Sequence, residues 1–249
     1  PDSGFSNSGM VSGASYIGGI IGSVAVNTAM AGSILGQNAG SVSNTGMVTG
    51  TGSFVGGIIG CNASENITIG NAANEADIEG ADNIGGIIGS MEDGVIGIPG
   101  GTIHNSGSVM GTNDNAGGIA GSINGANVTI SADSTLQNIA GVSGLNFVGG
   151  IFGSIENISA TAFNGLASPI AVGVSNTAPV TGAGSGAGGL FGGILSPNVT
   201  VENYTNTVDV TGKDIVGGIV GQFAAGGILN SVNMGTVTAA GGSAGGIAG

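Results

Sequence analysis

Few side chains in this chain of 249 residues could carry out chemistry: it has one His, one Cys, one Lys and no Arg. His104 is the only imidazole base, and its segment GGTIHNSG matches no catalytic motif such as H-E-x-x-H or G-x-S-x-G. A lone Cys61 excludes an internal disulfide and a cysteine zinc site. We expect a structural His and a small, half-buried Cys, with an intermolecular disulfide as the alternative for Cys61.

Carboxylates are the remaining reactive groups, and they cluster in one stretch that contains Glu75, Asp77, Glu79, Asp82, Glu92 and Asp93. The first three alternate, so on a strand they would share one face that could bind Ca²⁺. A solvated outward face is the other interpretation. We favour it because the calcium-binding G-G-x-G-x-D repeat is absent. We predict no catalytic, cofactor-binding or metal site and no enzyme activity.

Six N-x-[ST] sequons lie along the chain, at Asn62, Asn66, Asn127, Asn157, Asn198 and Asn203. Sequons of this kind accept N-linked glycans on the surface of secreted proteins. Asn-Val-Thr is also an ordinary turn-to-strand sequence. We therefore treat these six residues as candidate glycosylation sites on an outer face. The alternative is that they are ordinary turn-to-strand sequences without a glycan.

A repeat organises the positions of all these residues. The pattern N-x-[GAV]-x-[VI]-x-[GA] is followed by a Gly-Gly block, 11 or 12 residues after each of Asn7, Asn44, Asn74, Asn105, Asn138, Asn176, Asn206 and Asn233. These asparagines are 27–38 residues apart, a period typical of solenoids and arrays. Because no linker interrupts the pattern, we predict one continuous domain, 1–249, with a coil starting near each Asn.

The elements that must position these side chains are short strands. Apolar residues come in bursts closed by Gly, Asn or Ser, and no stretch has a sustained helical period. Glycine costs roughly 0.5–1 kcal/mol in a regular element, so the phased pairs must serve either a positive φ or a close backbone approach. We predict an all-β solenoid, or β-helix, of about eight stacked coils with two or three strands each and essentially no helix. In it the eight asparagines form an internal ladder.

The segment GGTIHNSGSVMGTNDNAGGIAG, from Gly100 to Gly121, resembles the GLUG repeat. That repeat occurs in large bacterial cell-surface and secreted proteins. The resemblance covers nearly the whole chain, although Asn74, Asn138, Asn176 and Asn206 lack the Gly two residues later. It implies a surface location and a repeat-module role, and it carries no catalytic residues.

The net charge limits the classes of molecule that the chain could bind. The formal charge is −13, with Lys213 as the only Lys or Arg, so no cationic patch exists for nucleic acid or an anionic membrane. The sequence contains no run of 18 apolar residues, so we predict no membrane-spanning helix. The chain begins at Pro1 and stops directly after a Gly-Gly block, so we expect either a mature, processed product or an excised segment of a longer rod. For the processed product, we expect the Gly249 end to stack on the Pro1 end of another copy.

We therefore expect a structural extracellular or cell-surface protein that forms a head-to-tail filament or a stalk. The alternative is an adhesin or glycan-binding module of a larger cell-surface protein that contacts host or polysaccharide surfaces. Seven Phe, two Tyr and no Trp leave few platforms on which sugars could stack, which favours the scaffold.

Overall fold

The computed structural model describes residues 4–25, 33–36, 41–158, 161–165 and 172–249. Within these ranges every regular element is a β-strand and none is a helix. The chain is an all-β solenoid in which five short strands follow one another in each full coil. Five strands exceed the expected two or three, because the short apolar bursts form separate strands of two to five residues.

We name the strands by their position in the coil. The Asn strands each end in a repeat asparagine: β1 Ser6–Asn7, β6 Val42–Asn44, β11 Ala72–Asn74, β16 Thr102–Asn105, β21 Thr135–Asn138, β26 Val172–Asn176, β31 Thr205–Asn206 and β36 Val232–Asn233. The Val strands begin with Val or Ile: β2 Val11–Gly13, β7 Val48–Gly50, β12 Ile78–Gly80, β17 Val109–Gly111, β22 Val142–Gly144, β27 Val180–Gly182, β32 Val210–Gly212 and β37 Val237–Ala239.

The Gly strands end in the first glycine of each pair: β3 Ile17–Gly18, β8 Val55–Gly56, β13 Ile84–Gly85, β18 Asp114–Gly117, β23 Asn146–Gly149, β28 Ser185–Gly188, β33 Asp214–Gly217 and β38 Ala244–Gly245. The fourth strands come next: β4 Ile21–Val24, β9 Ile59–Asn62, β14 Ile88–Met91, β19 Ala120–Asn124, β24 Phe152–Glu156, β29 Phe191–Ile194 and β34 Val220–Phe223. The fifth strands close the coil: β5 Ser33–Leu35, β10 Ile67–Ile69, β15 Val95–Ile96, β20 Thr129–Ile130, β25 Thr161–Asn164, β30 Val199–Glu202 and β35 Gly227–Leu229.

Equivalent strands of successive coils pair in parallel and build sheets along the axis. The Val strands form one sheet of eight, the Gly strands another of eight, and the fourth strands a sheet of seven. The register places residues of the same type opposite each other, as Val11 is opposite Val48 and Gly18 is opposite Gly56. Stacking therefore satisfies the backbone groups that a single coil would leave unpaired.

The Asn strands depart from this regularity late in the chain. Their sheet runs from β1 to β26 and then continues through the fifth strands β25, β30 and β35, while β31 and β36 form a separate pair. The cause is visible in β26, where Val172 and Gly173 pair with β25 while residues from Gly173 onward pair with β21. Strand β26 thus joins the first six Asn strands and the last three fifth strands into one nine-stranded sheet.

Apolar side chains fill the inside of each coil in two axial clusters. The smaller one lies between the Val and Gly strands and includes Val48, Val55 and Ile84, all fully buried. The larger one includes the fourth and fifth strands, and contains three neighbouring rings, Phe152, Phe163 and Phe191, with centroids 5.0–5.9 Å apart.

One residue in each of seven coils forms an axial column at a bend of the backbone, which we name the corner column. Its members lie just before the first three Gly strands and within the next four. The residue two positions before each Gly-Gly pair has a left-handed φ of 51–80° in seven coils: Tyr16, Phe54, Asn83, Asn115, Phe147, Gly186 and Ile215. Left-handed backbone costs roughly 1–2 kcal/mol for residues other than Gly, and Asn tolerates it better than aromatic or β-branched residues. Six of these seven corners carry a side chain all the same.

Candidate functional site

The repeat asparagines form an axial ladder of side-chain amides. Nδ2 of each Asn donates to Oδ1 of the Asn in the next coil at 2.8–3.0 Å, from Asn7 through Asn44, Asn74, Asn105 and Asn138 to Asn176. The same nitrogen also donates to the carbonyl two residues further on, as from Asn105 to Gly107 at 2.7 Å. The six asparagines from Asn44 to Asn206 are at most 3% exposed.

The ladder is interrupted once, between Asn176 and Asn206. Nδ2 of Asn176 donates to Gly189 O at 2.9 Å instead, and the buried Oδ1 of Asn206 has no hydrogen-bond partner among the residues that the structure describes. A second segment then links Asn206 to Asn233 at 2.8 Å. The prediction of one ladder through all eight asparagines is therefore corrected to a run of six and a separate pair, because β26 is drawn into pairing with β25.

A cavity of about 350 Å³ lies next to the interruption. Tyr204 lines it and donates its hydroxyl to Asn176 O at 3.4 Å. Burial raises the pKa of Tyr204 from 10.0 to about 12, and this hydrogen bond opposes the shift.

The Gly-Gly pairs are required by close backbone approach. A Cβ on Gly56, the first of its pair, would collide with Ile59 O, and a Cβ on Gly57, the second, would lie 2.6 Å from Asn74 Cγ. None of the pair glycines, all of which are described, has a positive φ. Of the two roles expected for these glycines, close approach is the one observed, and it makes room for the asparagine of the next coil.

The predicted acidic stretch does not converge on one point. Glu75 and Asp77 are exposed, Asp77 accepts a hydrogen bond from Ser108 N at 3.0 Å, and Asp82 accepts from Asp114 N at 3.1 Å. In the part of the chain that the structure describes, no three His, Cys, Asp or Glu side chains are grouped to hold a metal ion. Asp77 and Asp82 bond instead to the neighbouring coil.

The single His and Cys lie in different sheets. His104 Nδ1 is 3.1 Å from Gln137 Oε1 in the next coil. Cys61 is buried in β9, 3.7 Å from a Glu92 oxygen. Burial, reinforced by the Glu92 charge and hydrogen bond, raises the pKa of the Cys61 thiol from 9.0 to about 12. A thiol this protonated is a poor nucleophile.

The six sequons differ in accessibility. Asn127, Asn157 and Asn198 are exposed, and Asn66 and Asn203 are half-buried. Asn62 is fully buried, and its Nδ2 donates to Asp93 O at 2.7 Å and Ser64 O at 3.2 Å. Asn62 is thus unsuited to carry a glycan in the folded protein, because its amide nitrogen is enclosed and occupied.

Sequence reasoning missed the corner column, although its phase was visible: each corner residue lies two positions before a Gly-Gly pair. The mixture of Tyr, Phe, Asn, Gly and Ile at this position hid the column, since no residue type repeats throughout. Two of its members are joined by a hydrogen bond of 2.9 Å from Asn115 Nδ2 to Asn83 Oδ1.

Within the described ranges, no helix is long and apolar enough to cross a membrane. Comparisons with protein-family models, with curated proteins and with solved structures found no match for the chain.

Proposed function

We propose that this protein is a structural, extracellular β-solenoid without enzymatic activity, which serves as a surface stalk or stacks head to tail with further copies into a filament. The observation that carries the proposal is the polarity of the asparagine ladder. Every donor points toward the higher-numbered coil and every acceptor toward the lower-numbered one.

The two ends of such a stack are complementary. At one end, Gly9 N is the only donor among the described residues that bonds to Oδ1 of Asn7, at 3.1 Å. At the other, Nδ2 of Asn233 donates to Gly235 O at 2.8 Å and has a second hydrogen to give. A hydrogen bond from Asn233 of one copy to Asn7 of the next would repeat the geometry found between interior coils.

Apolar burial favours the same contact. Val48 and Val210 are fully buried between neighbouring coils, whereas Val237, the equivalent residue of the eighth coil, is only half-buried. A further coil on this face would complete the valine column. Burying a side chain of this kind contributes roughly 1.5–3 kcal/mol.

The charge of the molecule supports a role outside the cell. Its net charge of −13 opposes side-by-side association, which leaves the ends as the favoured contact. Lys213 is the only Lys or Arg, so proteases that cleave after basic residues have a single target.

Electron microscopy of the purified chain, with two matched variants, tests this proposal. We expect rods longer than the roughly 40 Å of eight coils spaced about 4.8 Å apart. Val237→Lys places a charge in the end contact and should leave only single rods, whereas Thr236→Lys adds the same charge at an exposed neighbouring position and should still assemble. Rods of one constant length for the unmodified chain at every protein concentration would contradict filament formation.

A further inference from the structure

A groove of about 350 Å³ follows the solenoid axis beside the corner column. Its lining comes from four successive coils, from Phe54 in the second to Glu156 in the fifth. With about 4.8 Å between coils, it extends over roughly 14 Å. The volume falls within the range of ligand sites in proteins.

An aromatic wall closes one end of this groove. Tyr16 and Phe54 stack with centroids 4.9 Å apart and planes inclined by 22°. Tyr16 covers one face of the Phe54 ring, and Phe54 and Asn83 both line the groove, so a ligand in the groove would meet the second face of the ring. Tyr16 and Phe54 have φ angles of 59° and 66°, so two rings occupy corners where Gly or Asn would be less strained.

The wall and floor beyond the rings are polar. Asn83 and Asn115 line one side, joined by their single hydrogen bond. Ser90 and Ser122 line the floor. Ser154 continues their column, since it pairs in register with Ser122 and so lies on the same face. Ser154 is 1% exposed, and no described residue is a hydrogen-bond partner of its hydroxyl.

Two carboxylates face the corner column across the groove. Glu92 and Glu156 both line it, two coils apart. Asn124 lies between them and donates to Glu156 Oε2 at 3.4 Å. Carboxylates and amides so arranged offer both acceptors and donors to hydroxyl groups.

The charge and geometry of the groove exclude anions and a metal ion held by both carboxylates. The groove has no cationic lining residue, and its two carboxylates, in a molecule of net charge −13, repel anions. Spacing of two coils separates the carboxylates by roughly 10 Å, too far to share one metal ion. A ligand with hydroxyl groups and an apolar C–H face would match both the polar floor and the free face of Phe54.

We propose that this groove binds a neutral carbohydrate chain, lying along the axis with one sugar against the Phe54 ring and hydroxyl groups bonded to Glu92, Glu156 and the Asn83–Asn115 pair. Coils succeed one another at a spacing near that of sugars in an extended polysaccharide, so consecutive sugars meet consecutive coils. The site gives the chain a binding role beyond a scaffold. It lies on the side of the rod and does not depend on end-to-end stacking.

Titration calorimetry with neutral hexasaccharides tests the proposal: cellohexaose, chitohexaose, maltohexaose and mannohexaose. We expect at least one to bind with a Kd below about 1 mM. Phe54→Asn removes the ring yet suits the left-handed corner, and Glu92→Gln removes one charge. Each should weaken binding by about tenfold or more.

Matched controls separate binding from folding. Ile215→Asn makes the same kind of corner change in the seventh coil, and Glu65→Gln removes an exposed carboxylate outside the groove; both should bind as the unmodified chain does. Thermal unfolding of each variant checks that the fold is retained. Hexalysine, titrated under the same conditions, tests whether the two carboxylates bind a cationic peptide instead. No binding by any of the four sugars, equal binding of a sugar by Phe54→Asn and Ile215→Asn, or binding of hexalysine and of no sugar would each overturn the carbohydrate site.

Discussion

At the scale of residues, the repeat asparagine combines a polar side chain with complete burial. A buried amide is stabilising only when its donors and acceptor have partners, and Asn105 meets this condition. It accepts from Asn74 and donates to Asn138 and to Gly107. Ser or Asp at the same position could not supply both a two-hydrogen donor and an acceptor, which explains why the repeat keeps Asn.

Removing Asn105 should therefore cost more than removing Asn206. Asn105→Ala strands a donor and two acceptors, and we expect it to lower the free energy of unfolding by about 3 kcal/mol. Asn206 Oδ1 has no partner to lose in the described part of the chain, so the loss for Asn206→Ala should be smaller by at least about 1 kcal/mol. Urea unfolding of the two variants measures the difference. Equal losses would mean that the ladder is not interrupted where the structure places the break.

Stability should also fall in alkali. The unfolded Cys61 thiol ionises above its ordinary pKa of 9.0, whereas the folded one holds its proton up to about 12. Tyr204 acts in the same sense between 10.0 and about 12. Because the unfolded state loses these protons first, it is favoured as the pH rises through this window. Urea midpoints between pH 8 and pH 11 measure the trend for the unmodified chain, and Cys61→Ser should flatten its lower part.

At the scale of elements, the corner column keeps one backbone conformation in seven coils although its residue types differ. Ile215 has a φ of 52°, and a β-branched residue is poorly suited to that region. Ile215→Asn should relieve about 1 kcal/mol of backbone strain. The melting temperature should rise by about 2–4 °C. A lower melting temperature would show that packing of the Ile215 side chain outweighs the strain.

The sequence allowed the repeat unit and its register to be predicted, because Asn and Gly-Gly recur at fixed phase and each has a role that no other residue fills. It did not reveal the number of strands. Corner residues such as Phe54 and Asn83 have similar φ angles but unlike side chains, so the residue type does not identify this position as a turn. The break after Asn176 depends on β25 pairing with Val172, a contact between segments that no local pattern records.

The groove was beyond sequence reasoning for a related reason. Glu92 looked like part of an acidic stretch with Glu75 and Asp77, yet the coil places it across from Asn83 and Asn115. Residues about 30 apart in the sequence are neighbours in the stack. These contacts can be predicted only when the exact length of each coil is known. Such a surface is formed by the stacking of several coils, and no single repeat contains it.

At the scale of the whole molecule, stability comes from contacts between coils. Each coil contributes apolar residues to two axial clusters and one amide to the ladder, and none of these is complete without a neighbour. This dependence is typical of solenoids, whose stability is approximately a sum of repeat and interface terms. The same contacts, offered at the ends, are what the proposed filament would use.

The close approach of neighbouring coils is tested most directly by one pair of glycine-to-alanine changes at equivalent positions. A Cβ on Gly86 would collide with Gly118 O and the Asn105 amide, whereas a Cβ on Gly246, the same position in the eighth coil, meets nothing within 4 Å. Unfolding free energies should be measured at a concentration where centrifugation shows single rods. We predict a loss of about 3 kcal/mol for Gly86→Ala and a change within about 0.5 kcal/mol for Gly246→Ala. Equal effects of the two changes would contradict the in-register stack.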